Sequence, residues 1–222
     1  MIALVSVYDE DLPLFEKMLL SLRDVVETIH VVDGAWGDFD PHNADGNSNN
    51  ETLDLAASYD AVIHPHGRWV SQEQKRTQMF RIPGWEYALV IDADEEFFGI
   101  PTQVKGHSCV LLQNVGPNDL PGMRGCFPHG DYTTEPQALL RIFQYDSELV
   151  CHWPGRYTDS RGHIRTYKRD NTTRLPVLEG VGIWHYPSQR SETRISLKRE
   201  WYPTEIENRK PLQDAMWESN PW

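Results

Sequence analysis

Tyr87-Ala-Leu-Val-Ile-Asp92-Ala-Asp94-Glu95-Glu96 decides how this chain folds. An apolar run from Tyr87 to Ile91 meets four carboxylates within the five residues 92–96. A short apolar run bounded by polar residues fits a strand buried on both faces. The charges at its end repel one another unless a cation or solvent neutralises them. Hard oxygen donors at that density suit Mg²⁺ or Mn²⁺, which keep positions open for phosphate and water. A bare Asp-x-Asp says little, since Asp9-Glu-Asp11 and Asp38-Phe-Asp40 have the same form. The apolar run before it and the density of acids set Asp92-Ala-Asp94 apart. Its bland reading is a solvated acidic turn that caps a helix.

Upstream, strand-like and helix-like segments alternate. Ile2–Tyr8 is a short apolar run, hence a buried strand. Asp11 is placed to cap a helix that has Pro13 in its first turn, and Leu14, Met18, Leu19 and Leu22 follow at helical spacing. Thr28–Val32 is a second strand, ending at Asp33-Gly34. The stretch from Gly37 to Asn50 has loop composition, Glu51–Ser58 suits a helix, and Ala61–His64 a third strand. Ser71-x-x-Gln74 matches a capping box for a helix running to about Phe80. This order predicts a mostly parallel sheet with helices on both faces. Such sheets take their ligands beyond the carboxyl ends of the strands. Asp9, Asp33, His64 and Asp92 all fall at those ends.

After Gly99 the helical rhythm fades. Short strands are expected at Val110–Asn114, Leu139–Gln144, Leu149–Trp153, Ile164–Tyr167 and Val181–His185, and a charged helix at Arg194–Arg209. No repeat or linker interrupts the chain, so residues 1–222 are read as one domain of 25.7 kDa. A chain of this length buries about 70% of its unfolded surface and needs no staples. Aromatic residues make up 11% of it, which excludes a disordered chain.

Net charge is −12. Nucleic acid and anionic membrane surfaces both demand a basic footprint, so neither is an expected partner. Any anionic ligand must be met by local Arg or Lys, by a metal, or by backbone N–H groups. Cys109, Cys126 and Cys151 form no CxxC pair and are expected as reduced thiols. The N-terminal run lacks a basic flank and meets Asp9-Glu-Asp11 at once, unlike a signal peptide or membrane span. A soluble, cytoplasmic chain is the expectation.

Two known folds place Asp-x-Asp after an apolar strand. In haloacid-dehalogenase phosphatases the motif continues to a Thr where this chain has Glu96. The fuller match is elsewhere. Val5-Ser-Val-Tyr-Asp9-Glu10, Val31-Val-Asp33-Gly34, Gln74-Lys75-Arg76, Asp92-Ala-Asp94-Glu95, Gly155-Arg-Tyr-Thr-Asp159 and Ile183-Trp-His185-Tyr occur in that order. This series resembles family-2 glycosyltransferases of the GT-A type. Two departures are Asp9 in place of the usual Asn, and Thr158-Asp159 in place of His-Glu. The resemblance implies a GT-A-like, Rossmann-like α/β fold with a smaller mixed β region in the C-terminal half. Residues 1–98 would hold the donor and 99–222 the acceptor.

It further implies transfer of a sugar from a nucleoside-diphosphate sugar, UDP-sugar favoured, to a glycan, lipid-linked or protein hydroxyl, with inversion. Asp9 and Asp33 would contact the nucleoside, and Lys75 or Arg76 the diphosphate. Asp92, Asp94 and His185 would hold Mn²⁺ or Mg²⁺.

Inversion needs a general base beside the acceptor hydroxyl. Asp159 is the first candidate, through its place in the Gly-Arg-x-His-Glu pattern. Asp131 is the second, in the loop His129-Gly-Asp-Tyr-Thr-Thr-Glu135. Asp146 and Glu148 suit a hairpin turn. Trp153, Tyr157, Trp184 and Trp201 are either sugar-stacking faces or core aromatics. Two rival functions stay open: a metal-dependent phosphatase and a non-catalytic carbohydrate-binding protein.

Overall fold

The computed structural model describes residues 1–37, 45–114, 137–152, 156–162, 164–166, 175–186, 189–192 and 196. The first strand, β1 (Ile2–Val7), is buried at five of its six positions, the exception being Ser6, as a largely apolar run requires. It lies parallel to β2 (Ile29–Asp33) on one side and to β4 (Tyr87–Asp92) on the other. Outside β2 lies β3 (Val62–His64), also parallel. The connections are α1 (Leu12–Leu22), α2 (Asn50–Ser58) and α3 (Gln72–Met79).

From β3 the chain crosses back over β1 to reach β4. The direction of winding therefore reverses between β1 and β4. A reversal of this kind opens a crevice at the carboxyl ends of the two strands.

The rest of the sheet is built by β5 (Glu95–Phe98), β6 (Ser108–Asn114), β7 (Gln137–Gln144) and β11 (Val177–His185). The order across eight strands is β3-β2-β1-β4-β7-β6-β11-β5. The first four are parallel, β6 and β11 are parallel, and β7 and β5 run against their neighbours. A second, antiparallel sheet holds β8 (Val150–His152), β9 (Arg156–Thr158) and β10 (Ile164–Thr166). The C-terminal strands thus extend the main sheet and add a small one. The strand β5, which begins with two Glu, and the short β9 are additions to the expected set.

Alternate residues of β1 point to opposite faces. Ala3, Val5 and Val7 pack with Phe15, Met18, Leu19 and Leu22 of α1 and Ala56 of α2. Ile2 and Leu4 pack on the other face with Met79 and Phe80, and with Cys151 and Tyr157 from the small sheet. Both faces are covered, as a parallel sheet demands.

The helix starts follow local chemistry. Ser71 accepts from Gln74 N–H at 3.2 Å, while the Gln74 side chain accepts from Val70 N–H at 2.9 Å, one residue before the expected partner. Asn49 caps α2 by accepting from Thr52 N–H at 2.9 Å. Asp11 stands at the N-cap of α1 but makes no side-chain cap bond. Its carboxylate instead accepts from Ser191 N–H at 3.0 Å. Among the described residues, no helix is long and apolar enough to cross a membrane.

At the sheet edge, His30 Nδ1 and His64 Nε2 lie 3.0 Å apart on neighbouring strands. Burial, aided by the neighbouring ring in the case of His30, lowers the pKa of both. The unfolded chain therefore takes up protons first, near pH 6.5, and acid favours unfolding. The melting temperature should fall as pH drops from 7.5 to 5.5. His64→Leu should flatten that part of the profile, measured by differential scanning fluorimetry. An unchanged slope would mean that other groups set it.

Candidate active site

The acidic turn sits at the carboxyl end of β4, beside the β1–β4 crevice. Asp92 closes β4, Ala93 and Asp94 form the turn, and Glu95 opens β5. Asp92 N–H donates to Glu95 Oε2 at 2.9 Å, which tightens the reversal. Tyr186 N–H donates to Asp94 O at 3.0 Å, which pins it to the end of β11. Pairing of β5 with β11 sets His185 opposite Glu95.

Each carboxylate meets a cationic group. Arg76 Nη2 is 2.7 Å from Asp92 Oδ1, and Arg141 Nη1 is 3.6 Å from Asp92 Oδ2. Arg141 also pairs with Glu95, and both side chains are 1% exposed. His185 Nε2 lies 3.0 Å from Asp94 Oδ2, and the Arg190 guanidinium pairs with the same oxygen. Lys17 stands 3.0 Å from Glu96 and 3.8 Å above the Tyr186 ring, whose hydroxyl donates to Glu96 at 2.6 Å.

These surroundings pull the acids apart. Burial opposes charge on Asp92 and Asp94. Arg76 and Arg141 outweigh it at Asp92, and Arg190 with His185 outweighs it strongly at Asp94, so both carboxyls sit below the usual range. At Glu95, burial prevails over Arg141, and Asp92 adds to it, pushing that carboxyl up to about 7.

A second network joins the ends of β1 and β2. The Lys75 ammonium is fully buried and donates to Val7 O and Gly34 O, at 2.6 Å each. Gly34 has φ +116, and a Cβ there would strike the Gly67 carbonyl. Asp33 is fully buried. Its carboxylate accepts from Ser48 Oγ–H at 2.5 Å and Ser48 N–H at 3.1 Å. Asp9 has φ 44, accepts from Asn49 N–H at 2.5 Å, and donates its own N–H to Ser48 Oγ at 2.9 Å. Asp9 and Asp33 therefore grip the same short loop, and Lys75 ties the two strand ends together.

Asp159 lies after β9. Its carboxylate accepts from Arg161 N–H at 3.0 Å, holding a turn. Asp146 accepts from Glu148 N–H at 2.8 Å and Ser160 N–H at 2.7 Å, in keeping with a turn residue. Tyr157 is buried at 2% exposure in the core, whereas Trp184 is half-buried and stacks on Phe98 with ring centres 4.9 Å apart. Asp131, Glu135, Trp153, Trp201 and most of the helix expected at 194–209 lie outside the described residues.

Sequence reasoning did not single out Arg141, Arg190, Ser48, Lys17 or Tyr186 as site residues. Only Arg141 left a signal there, as a lone cation in the apolar run Leu139-Leu-Arg-Ile-Phe143.

The donor set bears on a metal. Two ligands about 2.1 Å from one octahedral ion, at a right angle, stand about 3 Å apart. Asp94 Oδ2 and His185 Nε2 lie 3.0 Å apart, which is the length of a direct hydrogen bond as well as of such a ligand pair. No group of three or more His, Cys, Asp and Glu able to hold a metal occurs among the described residues. Asp94 and His185 are in direct contact at this turn, and Arg190 pairs with the same Asp94 oxygen.

No protein-family model and no curated protein matches the chain. Solved structures do. The chain is similar to the crystal structure of S. aureus TarS, with 13% identity and a TM-score of 0.39, over 65% of this chain and 28% of that one. A crystal structure of TarS residues 1–349 gives 15% identity and a TM-score of 0.38, over 65% and 46%. The same fragment in complex with UDP-GlcNAc gives 14% and 0.37, over 65% and 45%. The chain spans less than half the length of each.

The buried Arg141–Glu95 pair yields a test. Removing one partner of such a pair leaves an uncompensated charge, at a cost of about 3–5 kcal/mol. Arg141→Met should destabilise the fold by that order in urea unfolding. Arg141→Met combined with Glu95→Leu should recover much of the loss. Equal losses in the single and double variants would show that the pairing is not what the site needs.

Proposed function

We propose that the chain is a metal-dependent glycosyltransferase of the GT-A type that moves a sugar from a nucleoside-diphosphate donor, UDP-sugar favoured, to an acceptor hydroxyl. One observation carries this reading. The acidic turn lies beside the crevice where the sheet reverses its winding, and Arg76 reaches its rim. The ordered series of motifs in the sequence supports the same reading.

The residues divide the work. Asp94 and His185 would hold Mn²⁺ or Mg²⁺, with Asp92 beside them, and the bound ion would supply Lewis-acid stabilisation of the leaving diphosphate. Arg76 is 14% exposed and adds fixed positive charge at the same end of the crevice. Asp9 and Asp33 act through the loop 45–49, setting the wall that faces the nucleoside. Lys75 keeps the ends of β1 and β2 in register beneath it. The base that takes the acceptor proton in an inverting transfer is Asp159 or Asp131. The acceptor is a glycan, a lipid-linked sugar or a protein.

The test is slow hydrolysis of a panel of UDP-sugars, UDP-GlcNAc included, with Mn²⁺ and after its removal by chelator. Metal-dependent release of UDP is expected, and Asp94→Asn should reduce it by at least a hundredfold without unfolding the chain. Release of phosphate from a phosphomonoester would favour the phosphatase instead. Sugar binding with no turnover of any donor would favour a carbohydrate-binding protein.

A companion assay separates the two bases. Asp159→Asn should leave UDP binding intact and lower transfer about 10²–10⁴-fold, the usual share of general base catalysis. Near-normal transfer in that variant, with collapse in Asp131→Asn, would assign the base to Asp131.

A further inference from the structure

Arg190 holds the carboxylate that a divalent cation would need. Its guanidinium pairs with Asp94 Oδ2, the same oxygen that lies 3.0 Å from His185 Nε2. A dication and a guanidinium cannot share that oxygen at close range without strong repulsion. A metal bound at that oxygen would require Arg190 to give it up.

Its backbone is anchored on both sides. Gln189 N–H donates to Tyr186 O at 3.2 Å, and Ser191 N–H donates to Asp11 Oδ2 at 3.0 Å. The side chain can swing while its backbone stays beside the site. The Arg190 side chain is 16% exposed, so it is accessible from solvent. In a chain of net charge −12, a diphosphate has to be met by local cations, and a guanidinium binds phosphate in a two-pronged way.

We propose that Arg190 is an exchangeable cation of the donor site. It neutralises Asp94 in the free chain, yields that oxygen to the divalent ion, and passes to the diphosphate of the incoming donor. The second half of this exchange rests on the glycosyltransferase reading, and the first half does not.

The experiment separates the two. Mn²⁺ binding is followed by electron paramagnetic resonance with no nucleotide present, on wild type, Arg190→Gln and Arg190→Gln combined with Asp94→Asn. Circular dichroism checks that each variant is folded. Arg190→Gln should bind Mn²⁺ about tenfold more tightly than wild type, and the double variant should lose that gain. Arg190→Lys, which keeps the charge and loses the fork, should fall between wild type and Arg190→Gln.

Calorimetry with UDP at saturating Mn²⁺ tests the second half. Arg190→Gln should weaken UDP about tenfold and leave uridine unchanged. Unchanged or weaker Mn²⁺ binding in folded Arg190→Gln would overturn the exchange and leave Arg190 a structural partner of Asp94. Tighter Mn²⁺ with unchanged UDP affinity would overturn the transfer to phosphate alone. Tighter Mn²⁺ with no UDP binding even in wild type would sink the glycosyltransferase reading and keep the competition at Asp94.

Discussion

The carboxylates at the end of β4 must be neutralised inside the protein, because Asp94 and Glu95 are buried. An isolated buried charge is too costly to persist. The compensating groups come from far along the chain. Lys17 is supplied by α1, Arg76 by α3, Arg141 by β7, His185 by β11, and Arg190 by the segment after it. The elements that supply Arg141, His185 and Arg190 have to be in register for the buried carboxylates to be tolerated. A buried ion pair adds little net stability over an apolar core, and its best-attested use is to fix one arrangement. Here it fixes how the second half of the chain meets the first.

The same constraint explains the strand β5. Glu95 and Glu96 open it, so only Phe97 and Phe98 favour a strand by composition. It forms because Asp92 and Glu95 close a tight reversal and because His185 lies opposite, ready to pair. Phe97 then reaches the main core, and its N–H donates to Ser21 Oγ on α1 at 3.0 Å.

Legibility in the sequence follows the range of the forces involved. The strands β1 and β4 could be read because burial on both faces demands continuous apolar runs. The helix α1 could be read because its buried residues repeat at helical spacing. The location of the acidic turn was legible for the same reason. Of its partners, Arg76 and His185 were named from the sequence, whereas Arg141 and Arg190 were not. Arg141 lies 46 residues beyond Glu95, and Arg190 lies 96 beyond Asp94. Lys75 resembles a solvated helix cation in the sequence, yet it is fully buried between two strand-end carbonyls. Asp11 has the right residue type and position for a cap, but a backbone N–H 180 residues away claims its carboxylate. Contacts that need the folded topology leave no local trace.

The eight-stranded sheet ends in β3 on one side and β5 on the other, of three and four residues. Long flat edges recruit further strands, and proteins guard against this with short edges, charge and covering groups. Both edges here are short, and β5 carries two carboxylates. The Phe98 ring lies across its neighbour β11 because Gly182 has no side chain; a Cβ there would meet Phe98 Cζ at 2.5 Å. The ring also stacks on Trp184 of β11. Among the described residues, neither edge of the main sheet therefore presents a long flat strand for another chain to pair with.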